Sequence, residues 1–307
     1  MTNASTLDKL EQIRTSRVRQ PREVFNLGRT LVENGWINQS HPQRWTVMEQ
    51  LANASIECGQ FQLASVLIDR IGREFPPESS PRTVALQGAL LEAKGQVVEA
   101  SRLYEQSLVD RETNVVIRKR LIALHLSTPL SVSVSKASHP LSRQRGIDLL
   151  VEYLDTTYVD PEAWQLLARS YAELGLHAQA LSSLDHAVLL QPHNPSALVL
   201  HAELLTTMAR YDVALKEFLR VIELGTELDQ TTAKDKRRLS GAGTRAAFGV
   251  KLCISRLRSS PPTSSSTVKL DQLEVLMTRL ILDKYGTKRE GAAELNAVRE
   301  WLSSSSQ

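Results

Sequence analysis

The stretch DPEAWQLLARSYAELGLHAQALSSLDHAVLLQP, residues 160 to 192, decides the fold. Trp164, Leu167, Ala168 and Tyr171 follow one another at spacings of three, one and three, which places them on one face of a helix. Gly175 comes next as a turn residue. Ala180, Leu184 and Ala187 then form a second apolar face at helical spacing, and Pro192 stops it. Small residues stand where two antiparallel helices must cross closely, and large ones fill the gaps between neighbouring pairs.

The order W-x-x-L-[GA]-x-x-Y, then Ala, a large apolar residue, Ala and Pro, is the signature of a tetratricopeptide-type helix–turn–helix unit of about 34 residues. Sliding the chain by 34 residues takes Trp164 to Leu198, Ala168 to Ala202, Tyr171 to Leu205, Ala180 to Ala214, Leu184 to Phe218 and Ala187 to Val221, and every image is apolar. Upstream, Val84, Gly88, Leu91, Gly95, Ala100 and Tyr104 occupy the same places, as do Met48, Leu51, Ala52, Gly59, Ala64 and Ile68 before them. A further unit opens over Val116 to Leu126 and resumes at Gly146, Leu150 and Tyr153. Between its helices lies a Ser- and Pro-rich insertion at 127–143, read as a surface loop.

Helix starts share this register. Ser80-Pro81, Asp160-Pro161 and Asn194-Pro195 each set a capping side chain before a proline at the first helical position, where the missing N–H costs nothing. The expected architecture is all-α, a tetratricopeptide-type α-solenoid in which antiparallel helix pairs stack into a right-handed superhelix with helical caps at both ends. The expected boundaries are an N-terminal helical cap at 1–40, with an amphipathic helix over Pro21 to Glu33, and five repeats at 41–225. A polar loop at 226–244 with basic residues at 234–238, C-terminal helices at 245–302 and a disordered tail at 303–307 complete the reading.

Composition narrows the function. The 307 residues are 42% hydrophobic and 23% charged, which suits a folded chain, and a formal charge of +3 is too small to mark a nucleic-acid binder. No run of about 18 apolar residues occurs, so no membrane-spanning helix is expected, and the charged first 20 residues cannot serve as a secretory signal. Cys58 and Cys253 lie far apart in apolar helical patterns, as buried free thiols would, and no metal-ligand spacing of Cys or His is present. Nucleophile elbow, phosphate-cradling glycine loop, H-E-x-x-H and dinucleotide fingerprint are all missing, so neither catalysis nor a cofactor is expected. His177 and His186 are read as solvated or capping residues.

A stack of this kind offers a groove lined by its first helices, here by Glu49 and Asn53, Ala85 and Ala89, Lys119 and Ala123, Gln165 and Arg169, Val199 and Glu203. Such a groove holds peptides, loops or helices and performs no chemistry. The clamp that grips the tails of heat-shock chaperones needs a Lys four residues before the Asn, and Glu49 stands in that place before Asn53. The basic run Arg118, Lys119 and Arg120 is either a solvated helix face or a contact with an acidic partner or lipid head groups. Arg118, Lys119, Arg120, Gln165 and Arg169 are the candidate partner-binding residues. The run Arg237-Arg238-Leu239-Ser240 has the form of a basophilic kinase site.

Several stretches also resemble the subunit 2 family of the endoplasmic reticulum membrane protein complex. They are Val115 to Ala123, Asp160 to Ala168, Pro192-His193-Asn194, and Arg245 to Gly249, in the right order over about residues 20 to 285. The insertion at 127–143 and the segment 226–243 depart from that pattern. The resemblance implies a non-catalytic subunit of a hetero-oligomer, peripheral on the cytosolic face of the endoplasmic reticulum. It would clamp the cytosolic ends of membrane-embedded subunits, engage a further soluble one, and so support insertion of transmembrane helices without nucleotide. The repeats by themselves equally suit a soluble adaptor, such as a co-chaperone or a ubiquitin-ligase subunit.

Overall fold

The structure, a computed structural model, describes residues 3–16, 18–39, 41–127, 141–228, 237–239, 241–259, 267–286 and 292–304. The chain divides into two compact units, Met1–Leu149 and Leu150–Gln307, and the division falls inside one helix.

The first unit runs through α1 (Asn3–Ser16), α2 (Pro21–Glu33), a 3₁₀ turn (Trp36–Asn38), α3 (Arg44–Glu57), α4 (Phe61–Glu74), α5 (Pro81–Ala93), α6 (Val97–Asp110) and α7 (Val115–Leu126). It ends in the first half of α8 (Arg143–Thr156). From α1 to α7 each helix packs on the next, and α3, α5 and α7 also touch side by side. The second unit holds the rest of α8, then α9 (Pro161–Glu173), α10 (His177–Leu190), α11 (Pro195–Thr207), α12 (Tyr211–Gly225), α13 (Gly241–Arg258), α14 (Thr267–Gly286) and α15 (Ala292–Ser304). Here α11 and α13 are the first-helix neighbours. The fold is all-α and tetratricopeptide-type, apart from one short strand pair.

The repeat chemistry is visible in the packing. Ala52, Ala168 and Ala202 are sealed in the first helices, and twelve residues after each, Ala64, Ala180 and Ala214 are sealed in the second. Leu167 and Ala187 are buried with them, while Trp164 and Tyr171 are half-buried against the same cluster. Between the helices of four pairs the chain turns through the left-handed region, at Gly59, Gly95, Gly175 and Ala209. Each turn closes with the same long-reach bond: Gln60 N–H to Ser55 O, Gln96 to Leu91, Leu176 to Tyr171 and Arg210 to Leu205, at 2.8–2.9 Å. These bonds satisfy carbonyls that the helix end would otherwise leave without donors.

Asp160 Oδ1 accepts from Ala163 N–H at 3.1 Å and Asn194 Oδ1 from Ser196 N–H at 3.0 Å, capping α9 and α11. Ser80 differs: its backbone takes the extended cap conformation, but its side chain makes no capping bond. Asn114 supplies a cap not foreseen from sequence, with Oδ1 accepting from Val116 and Ile117 N–H.

Four expectations need correction. The stretch 226–244 is not simply a polar loop, because Thr226–Leu228 pairs antiparallel with Arg237–Leu239, with Thr226 opposite Leu239. Leu239 is the reason, an apolar residue buried in the core of the second unit. Helix α13 accordingly begins at Gly241 instead of 245. At the C-terminus, Ser303 and Ser304 belong to α15; residues 305–307 lie outside the described residues, as do 128–140 of the insertion and Lys234 and Lys236. In the first 40 residues α1 precedes the expected helix, with Leu10 buried. Of the two thiols, Cys253 is buried and Cys58 only partly so.

Candidate protein-binding surface

On α3, α5 and α7 the residues turned away from the second-helix layer border a cavity of about 300 Å³. Glu49 and Asn53 come from α3, Arg82, Ala85 and Leu86 from α5, and Val116 and Arg120 from α7, with the capping Asn114 at one end. Two ion pairs link these helices, Arg82 of α5 to Glu49 of α3 and Arg120 of α7 to Glu92 of α5. Arg82 Nη2 lies 2.6 Å from Glu49 Oε2, with its Nε 3.3 Å from Oε1. Arg120 Nη1 lies 3.3 and 3.4 Å from the two oxygens of Glu92, which also accepts the hydroxyl hydrogen of Tyr104. Burial and the Glu92 carboxylate together push the Tyr104 hydroxyl well above its ordinary value, so it remains a donor. Arg120 is thereby held by a carboxylate that is itself anchored in the core.

The basic run does not act as one cluster. Successive residues of a helix diverge by about 100°, and Arg118 accordingly leaves the groove: its side chain is 13% exposed and lies 3.7 Å from Glu112. Lys119 is exposed on α7 and is not among the residues that line the cavity, whereas Arg120 lines it.

In the second unit Gln165 is half-buried and Arg169 exposed on α9. Arg245 grips Glu203 with Nη2 2.7 Å from both carboxylate oxygens. Val199, expected in the groove, is 1% exposed and belongs to the core that α12 and α13 build over α11. A second cavity, of about 350 Å³, lies where Arg245 and Phe248 of α13 meet Lys284 and Tyr285 of α14 and Glu294 of α15.

His186 is half-buried and stands among aromatic rings. Its ring lies 4.5 Å from that of Trp164, and its Nδ1 is 2.8 Å from the Tyr158 hydroxyl; Trp164 Nε1 donates to Tyr158 O at 2.9 Å. His177 has its Nδ1 buried without a hydrogen-bond partner among the described residues. Pro192, exposed after α10, offers its carbonyl to Arg220 at 3.0 Å.

Arg82 and Asn114 were missed in the sequence. Arg82 is three residues before the groove residue Ala85, on the same helix face, and that spacing could have found it. Asn114, before an apolar run with no proline, carries the ordinary capping signal. Among the described residues, no group of three or more His, Cys, Asp or Glu could hold a metal ion, and no helix is long and apolar enough to cross a membrane.

With this geometry in place, residues 161–194 match the model of the Tetratricopeptide repeat family. The chain is similar to ER membrane protein complex subunit 2-B of Xenopus laevis, 26% identical over 262 residues, covering 85% of this chain and 79% of that one. It is also similar to the TPR repeat protein oca3 of Schizosaccharomyces pombe, 30% identical over 188 residues, covering 60% and 62%. Among solved structures, MamA 41-end from Desulfovibrio magneticus RS-1 is 16% identical with a TM-score of 0.45, covering 63% of this chain and all of that one.

Proposed function

Because the chain is a tetratricopeptide-repeat homologue of the ER membrane protein complex subunit 2 proteins, we propose that it is a non-catalytic scaffold subunit of that complex, peripheral on the cytosolic face of the endoplasmic reticulum. In this reading it clamps the cytosolic ends of membrane-embedded subunits, holds a further soluble subunit, and supports insertion of transmembrane helices without consuming nucleotide. The observation that carries it is the homology over 85% of the chain, together with first helices whose outer faces border an open groove instead of a closed core. Such grooves bind by apposing side chains to another polypeptide, and their residues do not need the proton-transfer geometry of an active site. Lys119, Arg120, Gln165 and Arg169 are the contact residues this reading favours; Arg118, turned toward Glu112, is a weaker one.

Affinity purification of the tagged full chain from detergent-solubilised membranes tests the reading. Recovery with a set of integral membrane proteins in fixed proportion is expected, surviving a high-salt wash that strips loosely held proteins. Recovery with chaperones or ubiquitin-ligase cores, and without integral membrane proteins, would overturn it in favour of a soluble adaptor.

A further inference from the structure

The loop between α8 and α9 carries a ring fixed from two sides. Tyr158 stands there with its hydroxyl 2.8 Å from His186 Nδ1 on α10, and its carbonyl accepts from Trp164 Nε1–H of α9 at 2.9 Å. Its ring meets both of theirs nearly at right angles, with centres 5.5 Å from Trp164 and 5.6 Å from His186. Half of the tyrosine stays in solvent all the same, at 49% exposure. Val159 follows it at 76%, and Leu189, one helical turn beyond His186 on α10, is also 76% exposed. Rings and aliphatic side chains thus adjoin on one surface within the second unit. That surface lies apart from the groove, because Trp164 faces His186 of the second-helix layer.

Two properties decide what can cover it. The first is charge. Asp155 in the last turn of α8 and Glu162 in the first turn of α9 are both exposed, three and four residues from Tyr158. Over residues 150–225, from α8 to α12, ten Asp and Glu stand against four Lys and Arg, a net of six negative charges in a chain whose formal net is +3. That count includes Arg220, the cation of α12 that reaches Pro192 O just after α10. The unit's cations, fourteen Lys and Arg against nine Asp and Glu over 226–307, gather beyond α12, and the helix that follows, α13, packs on α11 and α12. Anionic lipid and nucleic acid are repelled by such a field, and basic polypeptides are drawn to it. The second property is preorganisation. The tyrosine ring is already held, so an incoming group need not order the loop. Its face attracts an ammonium or guanidinium, and its body adds apolar area.

We infer that this surface docks a Lys- and Arg-rich segment of a partner polypeptide. The segment sets a cation on the Tyr158 ring, within the field of Asp155 and Glu162, and lays aliphatic side chains over Val159 and Leu189. Lys and Arg gather at the cytosolic flanks of transmembrane helices. The membrane-embedded partners of the scaffold reading, on which this contact rests, therefore carry segments of the required chemistry.

Fluorescence anisotropy on the purified full chain tests the contact, with a labelled peptide of about 15 residues in which Arg and Leu recur at helical spacing. An analogue with Glu in place of Arg, and vesicles containing phosphatidylserine, serve as comparison. The Arg peptide is expected to bind, the Glu analogue to bind at least about tenfold more weakly, and added salt to loosen the complex. Asp155→Lys/Glu162→Lys should weaken binding by about tenfold or more, and Val159→Ser/Leu189→Ser by about fivefold or more. Leu174→Ser, an exposed position at the other end of α9, should leave the affinity unchanged. All these sites are exposed, so the fold should persist, and circular dichroism checks that it does. Equal binding of the two peptides overturns the inference. Weakening in the charge variant alone does so too, because it marks attraction to the unit's field without docking on the rings and aliphatic side chains. An equal loss in Leu174→Ser, or vesicle binding that excess Arg peptide does not compete, also overturns it. The scaffold reading fails separately: if the wild-type chain recovers no membrane proteins, that reading falls whatever the peptide does.

Discussion

Gly88 lies directly beneath the ring of Tyr104, so close that a Cβ on the glycine would come 2.2 Å from the tyrosine's Cε1 and hydroxyl oxygen. The ring is fully buried, between α5 and α6, and its hydroxyl is fixed on Glu92, which in turn holds Arg120 at the groove. A side chain at position 88 therefore disturbs the core and the binding surface together. Gly88→Ala is expected to destabilise the chain by about 2–3 kcal/mol, the upper range of overpacking, because neither the ring nor the helix can withdraw. Urea denaturation measures this, and trimming the obstruction in Gly88→Ala/Tyr104→Leu should recover part of the loss. A cost below about 0.5 kcal/mol would show that the helices separate easily, contrary to this packing.

Ala209 occupies the turn between α11 and α12 at φ 58°, one period of 34 residues after Gly175. At the equivalent turns Gly59, Gly95 and Gly175 take φ of 74–78°. The left-handed conformation costs an L-residue about 1–2 kcal/mol, whereas glycine loses about 0.5–1 kcal/mol more backbone entropy on folding. The difference favours glycine, so Ala209→Gly should stabilise the chain by roughly 0.5–1 kcal/mol, raising the urea midpoint with an unchanged slope. A fall in the midpoint would refute the strain assigned to this turn.

These two sites mark what was legible in the sequence. The turn glycines, the paired small residues and the Asp160 and Asn194 caps act through neighbours a few positions away, so their spacing alone reveals them. The strand pair is different: Leu239 can be recognised as an anchor only once the core formed by α12, α13 and α14 exists to receive it. Val199 was misplaced for the same reason, since α13 lies outside the repeat pattern and covers a face that the pattern would leave open. The groove positions Glu49, Asn53 and Ala85 could be read from helical phase. Helical phase also divides Arg118 from Arg120; their partners Glu112 and Glu92 could not be read that way, because they stand outside α7 and meet it only in space.

His125 offers a check by pH. Its ring is buried in α7, its Nδ1 accepts from Ser142 N–H at 3.2 Å, and Gly146 of α8 packs against its Cβ. Burial holds its pKa below the ordinary value, and Arg145 adds to this, while Glu105 opposes it. With the folded pKa depressed, the unfolded chain takes up the proton first as acid is added. The neutral ring therefore contributes stability above about pH 6.5, and the contribution is lost as pH falls below that value. Replacing the ring by His125→Gln should remove this acid sensitivity. The stability gap between wild type and variant should be widest near about pH 7.5 and narrow toward about pH 5. A gap that widens in acid would mean that the charged ring is the stabilising form.

Lys251 poses the sharpest energetic question, because its side chain is only 2% exposed inside the C-terminal helices. Its Nζ is 3.1 Å from Thr278 Oγ1 and 3.6 Å from Glu274 Oε1, and the Trp301 ring centre is 6.0 Å away. Glu274 also takes Arg258 at 2.7 Å, so one carboxylate ties two cations of α13 to α14. Removing it leaves a buried ammonium without its counter-charge, which is worse than having no charge at all. Glu274→Gln should cost about 2–4 kcal/mol, toward the lower end because the carboxylate retains some solvent. Lys251→Met in the same chain should restore most of that, since an unbranched apolar side chain fills the ammonium's path without needing a partner. A double-mutant cycle by urea denaturation reads the coupling directly. Strictly additive losses would show that the lysine is held by the Thr278 hydroxyl and its apolar surroundings, with the carboxylate serving only Arg258.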